Sequence, residues 1–125
     1  MKKQIKSKKA PQPIGPYSQA IKHGNMVFIS GQIAIDPKTN KIIINNIIEE
    51  TKMVFQNIDN ILKECDCDFN NIVKCSIFLS DMKFFESVNK VYSSYFTEPY
   101  PARETIAVKL PKNVNVEISA IAMCK

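Results

Sequence analysis

Arg103 is the one arginine among 17 basic residues in a chain of 125; the rest are lysines. A guanidinium is a planar fork that grips a carboxylate or phosphate through two parallel hydrogen bonds, which an ammonium cannot reproduce. Its bland counterpart, the chance survival of one surface arginine in a lysine-biased composition, explains the count equally well. A second candidate is Glu117, set within Asn115-Val116-Glu117-Ile118-Ser119. On a strand it shares a face with Asn115 and Ser119, while Val116 and Ile118 point the other way. That face is either simply solvated, the commoner case, or it lines a pocket, where desolvation raises the carboxyl toward the range useful for proton transfer. Together, a fixed cation and a carboxylate suggest a small anionic substrate, with Arg103 holding its charge and Glu117 handling water.

Other chemistry is poorly supplied. With three glycines (Gly15, Gly24 and Gly31) and no phosphate-loop pattern, a nucleotide cradle is improbable. The one histidine, His23, falls at a hairpin turn and reads as an exposed neutral residue rather than a catalytic base. Cys65, Cys67, Cys75 and Cys124 form no C-x-x-C pair, so zinc is not indicated, and the expectation is four reduced packing thiols.

The elements that position these groups follow from turn chemistry and hydrophobic period. Pro11, Pro13 and Pro16 make an extended segment of the N-terminal part, after a short strand near Gln4 to Lys6. Ala20 to Lys22 and Met26 to Ile33 flank Gly24-Asn25 as a hairpin, and Ile42 to Ile44 adds an edge piece. Ile47, Thr51, Val54, Phe55, Ile58, Ile61, Leu62 and Cys65 recur every three or four residues, which predicts a helix from about Ile47 to Glu64, with Asn46 and Glu49 as a capping pair. Ile72 to Leu79 reads as a buried strand. A second helix, capped by Asp81, presents Phe84, Phe85, Val88, Tyr92, Tyr95 and Phe96 and stops before Pro99.

Strands at Glu104 to Lys109 and Val114 to Met123 complete a ββαβαββ order. This is an α+β sheet with both helices on one face. The other face, carrying Ile29 or Ile33 and Ile118 or Ala120 according to register, needs cover, for which self-association is the economical answer. Pairing the last two strands about Pro111-Lys112 leaves Arg103 roughly 13 Å from Glu117, at about 3.3 Å per residue. The two then serve one site either through different subunits or through a bulged strand.

Length and composition fit one domain, residues 1–125, with 45% apolar and 23% charged residues. No apolar run is long enough to span a membrane, and no secretory pattern opens the chain, so a cytoplasmic protein is expected. The net charge is +5, with five lysines in the first nine residues, which reads as a solvated arm more readily than as an RNA site.

Several motifs occur in a recognisable order. Ile14-Gly15-Pro16-Tyr17-Ser18-Gln19-Ala20, Val27-Phe28-Ile29-Ser30-Gly31-Gln32-Ile33 and Asp36-Pro37 resemble the N-terminal signature of the RidA family, also called YjgF or L-PSP endoribonuclease-like proteins. The N-x-x-Y-x-x-Y-F run at Asn89 to Phe96 is similar to the family's second helix, and Pro101-Ala102-Arg103 and Val116-Glu117-Ile118 to its C-terminal signature. The likeness spans nearly the whole chain. It implies a chorismate-mutase-like fold in a homotrimer with sites at subunit clefts. It also implies hydrolysis of 2-iminobutanoate or 2-iminopropanoate, products of pyridoxal-phosphate-dependent dehydratases, to 2-oxo acids and ammonia. No metal or organic cofactor is implied. Arg103 would hold the substrate carboxylate and Glu117 would position water, with Tyr17, Ser30, Gly31, Asn89 and the main chain of Thr105 lining the pocket.

Three departures accompany the resemblance. Thr105 stands where many members have Cys, Glu104 adjoins the key arginine, and the interval from Arg103 to Glu117 is one residue shorter than is typical. Either the Pro111 turn absorbs that deletion or the site is disturbed. The alternatives to a deaminase are an RNA-binding protein or endoribonuclease-type translation inhibitor, and a non-catalytic, carboxylate-binding or chaperone-like trimer.

Overall fold

The computed structural model describes residues 1–125. Six strands form one mixed sheet: β1 (Lys3–Ile5), β2 (Ala20–His23), β3 (Met26–Gln32), β4 (Ile72–Leu79), β5 (Ala102–Ala107) and β6 (Val116–Met123). Two helices, α1 (Ile47–Lys63) and α2 (Phe85–Tyr95), pack on one face. The spatial order is β1-β2-β3-β6-β4-β5, all antiparallel except β4 with β5. This is the α+β arrangement expected from the chorismate-mutase-like resemblance.

Local chemistry explains most element boundaries. Gly24 sits at φ 58° in the β2–β3 turn, a conformation glycine adopts without steric penalty. The Asn46 side chain accepts from the Ile48 and Glu49 amides to start α1. Glu49 does not complete a capping box but pairs with Lys52 at 3.8 Å. Asp81 caps a short 3₁₀ turn, Met82–Phe84, that leads into α2. The edge piece expected at Ile42 to Ile44 is reduced to one bridge between Ile35 and Ile42.

The N-terminal segment is fastened rather than solvated. Buried Gln19 accepts from the Ser7 amide at 2.7 Å and donates to the Ser7 and Pro11 carbonyls at 3.1 and 2.8 Å. The lysine side chains of this segment still stand in solvent, while β1 pairs with β2 and Ile5 enters the core.

Three expectations are corrected. The last two strands do not form a hairpin: β4 lies between them, and β5 is an edge strand parallel to β4. A turn of seven or eight residues allows a hairpin, but β4 already pairs with β6 along its length and leaves β5 only the outer edge. Ile29, Ile118 and Ala120 belong to the helix-covered core. The uncovered face instead carries Phe28, Ile106 and Met123, with Lys74, Ser76, Ser119, Glu104 and Glu117 among them. Finally, Cys67 and Cys124 are joined as a disulfide, 57 residues apart in sequence, while Cys65 and Cys75 are free and buried. Sequence spacing carries no signal for such a pairing, since the loop after α1 and the end of β6 meet only in the folded chain.

The centre of the core is aromatic. Phe55, fully buried, stacks on Tyr95 at 4.5 Å and meets Phe69, Tyr92 and Phe96 edge-on. Its loss removes a whole ring from the α1–α2 contact. Phe55→Ala is expected to lower unfolding free energy by about 3–5 kcal/mol, read from urea denaturation. A loss below about 1 kcal/mol, the range of a tolerated core swap, would show that the cluster repacks freely.

Candidate active site

Arg103 faces the helices. It is in register with Cys75 of β4, which is fully buried, and the strand period puts both on the α2 side. Its Nη1 donates to Asn89 Oδ1 at 2.7 Å. Its guanidinium carbon lies 4.8 Å from the Tyr92 ring centre and 5.8 Å from that of Phe85. A cation held over an aromatic face keeps its remaining N–H groups free to act as a fork. These groups border a cavity of ≈ 490 Å³, whose wall is Asn89, Tyr92, Ser93, Tyr100, Pro101 and Arg103. Burial pushes the Tyr92 phenol above its usual range, and its polar neighbour is the Cys75 thiol.

Glu117 faces the other way. Its strand neighbours Val116 and Ile118 are fully buried beneath the helices, so its own side chain lies on the uncovered face. Across β4 it is in register with Phe78, three residues from Cys75 and hence on the opposite face from Arg103. The ladder shifts between Ile29 and Gln32 of β3, a bulge that lays Gly31 against Glu117. A methyl group on Gly31 would fall 2.9 Å from the Glu117 carboxyl carbon, so only glycine leaves room for this approach. The carboxylate opens into a second cavity of ≈ 430 Å³, bordered also by Gln12, Tyr17, Gly31 and Lys112. Burial raises the Glu117 carboxyl above the usual carboxylate range.

The remaining candidates divide between these halves. Tyr17 is half exposed and lines the Glu117 cavity. Ser30 donates to the Ser18 carbonyl at 2.6 Å and accordingly anchors the Tyr17 segment. Thr105 shares the Arg103 face, with its hydroxyl buried and without a hydrogen-bond partner. Glu104 does not neutralise Arg103: it points to the opposite face, where Lys74 at 3.0 Å and Ser76 hold its carboxyl below the usual range. Pro111–Asn113, between β5 and β6, is a 3₁₀ turn in which Lys112 and Asn113 both adopt φ 56°. Burial lifts the Cys75 thiol to about 11, which leaves it un-ionised and no nucleophile. His23 is exposed at the end of β2.

Tyr92, Ser93 and Tyr100 escaped the reading of the sequence as site residues. The signal for Tyr92 lay in the N-x-x-Y spacing itself, since residues three apart share a helix face and Asn89 already faced Arg103.

Comparison with known proteins agrees with this architecture. The profile of the Endoribonuclease L-PSP family matches residues 7–124. A RutC family protein of Pyrococcus abyssi is 50% identical over 122 residues, 97% of this chain and 96% of the relative. The 2-iminobutanoate/2-iminopropanoate deaminase of Mus musculus is 43% identical over 124 residues, 98% of this chain and 92% of the relative. Among solved structures, yeast Mmf1 superposes with a TM-score of 0.95 at 42% identity, covering 100% of both chains. E. coli TdcF with bound serine gives 0.92 at 35% identity, covering 98% of this chain and 99% of that one. The chain belongs to the endoribonuclease L-PSP family, the RidA/YjgF group of proteins.

Gly31→Ala tests the close approach on the Glu117 side. The added methyl must displace a flexible carboxylate rather than backbone, so the variant is expected to fold. In it, the Glu117 carboxyl resonance in NMR should titrate closer to an ordinary carboxylate, because the displaced group regains water. An unchanged titration would show that Gly31 does not fix the carboxylate.

Proposed function

We propose that this chain is a hydrolytic deaminase of small 2-imino acids, acting through a site that two copies assemble between them. The observation that carries the reading is the pairing of two incomplete half-sites on opposite faces of one sheet. One holds a propped guanidinium without a proton acceptor; the other holds a partly desolvated carboxylate, bordered by the Lys112 ammonium but by no guanidinium fork. Within one copy, three residues along the strands and two strands across place the Arg103 and Glu117 backbones roughly 14 Å apart, on different sides, from about 3.3 Å per residue and 4.8 Å per strand. No small molecule bridges that gap. An edge-strand region of one copy laid against the uncovered face of the next would complete the site. Such a contact joins two different patches, and contacts of that kind close into rings, which favours a cyclic homotrimer over a two-fold dimer.

The chemistry suits these groups. The substrate is a protonated 2-imino acid, R–C(=NH₂⁺)–COO⁻. Arg103, steadied by Asn89 and Tyr92, takes the carboxylate and fixes the imine carbon. Glu117 of the next copy accepts a proton as water oxygen adds to that carbon, giving a carbinolamine. The proton passes to the amine nitrogen, the C–N bond breaks, ammonia leaves and the hydroxyl proton is lost to yield the 2-oxo acid. Name and identity support this reading: mammalian relatives at 42–44% identity are 2-iminobutanoate/2-iminopropanoate deaminases. The paired charges fit a small zwitterion better than a polyanion such as RNA.

A mixing experiment tests the shared site. Arg103→Ala and Glu117→Gln are each expected to lose more than about 100-fold in kcat/KM for freshly generated 2-iminobutanoate, the scale on which a binding fork or a general base contributes. Denatured together and co-refolded at equal ratio, the two variants should regain roughly one quarter of wild-type activity. By random assortment around a ring, one interface in four pairs an intact Arg103 with an intact Glu117. No recovery in properly assembled mixtures would place both residues in one copy's site.

The pH dependence has a defined sign. Glu117 accepts a proton only when ionised, and burial raises its carboxyl. In wild type, kcat/KM should therefore fall on acidification through a pH above the ordinary carboxylate value of about 4.3. That limb should be absent from the residual activity of Glu117→Gln. A limb that persists in the variant assigns it to another group.

A further inference from the structure

Glu50 has no solvent exposure, yet no cation pairs with it. It sits in the first turn of α1, where the unsatisfied amides of the helix favour negative charge. Its partners lie 65 and 66 residues away, at the entry to β6. Oε2 accepts from the Asn115 amide at 2.7 Å and the Val116 amide at 3.1 Å, and Oε1 accepts from Asn115 Nδ2 at 3.0 Å. Asn115 is held from its other side by β4's end: its Oδ1 accepts from Ser80 Oγ at 2.9 Å, and its carbonyl accepts from the Ser80 amide at 3.0 Å. A buried carboxylate with three donors costs too much desolvation to be displaced lightly.

The clamp falls at a vulnerable place. Just upstream, Lys112 and Asn113 take left-handed backbone conformations in the turn that leads into β6. Immediately downstream comes Glu117. A slip of one residue at this point would exchange the faces of Val116 and Glu117, burying the acid beneath the helices and exposing the valine. We propose that Glu50 is a positioning residue for Glu117: by gripping the Asn115 and Val116 amides from α1, it sets the phase of β6 so that the carboxylate is delivered onto Gly31 on the opposite face of the sheet. It reaches no substrate itself. Its role in turnover rests on the reading of Glu117 as the proton acceptor.

Glu50→Gln tests this, since glutamine keeps the size but turns an NH₂ toward N–H donors. With folding verified by circular dichroism, kcat for 2-iminobutanoate should fall by about tenfold or more, the scale of a small misplacement of a reacting group. KM should change by less than about twofold, because Arg103 and Asn89 lie on the other face. A structural defect alone would scale the active fraction and leave the pH profile in place; displacement of Glu117 also shifts its acid limb. A second readout needs no substrate. The Gly31 amide resonance should move with Glu117 ionisation in wild type, and this movement should be lost in Glu50→Gln. The titratable groups bordering that cavity are Tyr17, Lys112 and Glu117, while Lys74 and Glu104 on the same sheet face are paired with each other. Should Glu50→Gln fail to fold, Asn115→Ala, which keeps both backbone amides, carries the same two readouts with smaller changes. An unaltered Gly31 titration, or an unaltered kcat and pH profile in folded variant, overturns the proposal. Absence of turnover by the wild-type protein would overturn only the deaminase reading, and the Gly31 titration would still decide the role of Glu50.

Discussion

The alternation of side chains along a β-strand is the constraint on which everything else rests. Arg103 and Glu117 sit three ladder positions apart as measured along β4, an odd number, so one faces the helices and the other faces away. No rotamer change brings them together through a sheet in which β4 pairs with both β5 and β6 from Lys74 to Leu79. The molecule accordingly carries a propped guanidinium on one surface of the sheet and a partly buried carboxylate on the other. Each end has been prepared separately: the guanidinium by Asn89 and Tyr92, the carboxylate by the bulge at Gly31.

Preparation of each half involves residues that also build the core. Tyr92 contributes its ring edge-on to Phe55 and its face to Arg103. Ser30 and Gln19 tie down the segment that brings Tyr17 to the Glu117 cavity. Glu50 reaches from α1 to the start of β6. Polar groups buried in this way are costly unless satisfied, and their satisfaction here fixes where the strands start and which way they face. Packing and chemistry are therefore not separable by position. A substitution at Tyr92 would disturb both.

Much of this was legible in the sequence. The helix of α1 announced itself through apolar spacing from Ile47 to Cys65, and β4 through a β-rich run from Ile72 to Leu79. Arg103 stood out by being alone, and Glu117 by interrupting an apolar strand. The pairing of β5 was misread because the turn at Pro111 favours a hairpin locally, whereas parallel pairing with β4 is decided by contacts distant in sequence. The uncovered face was assigned the wrong residues for the same reason, as register depends on neighbours that the sequence does not name. Glu50 passed unnoticed although it lies four residues before Val54 on the apolar stripe, where an acid needs a buried partner. Its partners are two backbone amides and the Asn115 side chain, 65 and 66 residues away, a separation that no sequence spacing signals.

The most direct measurement is a crystal structure of the assembled protein with a small 2-oxo acid bound. The expected result is a ligand carboxylate forked on Arg103 of one copy, with its second carbon within about 4 Å of a water held by Glu117 of a neighbouring copy, close to attack distance. A structure in which no Arg103 in the assembly approaches any Glu117 closely enough to share that ligand would contradict a site built between copies.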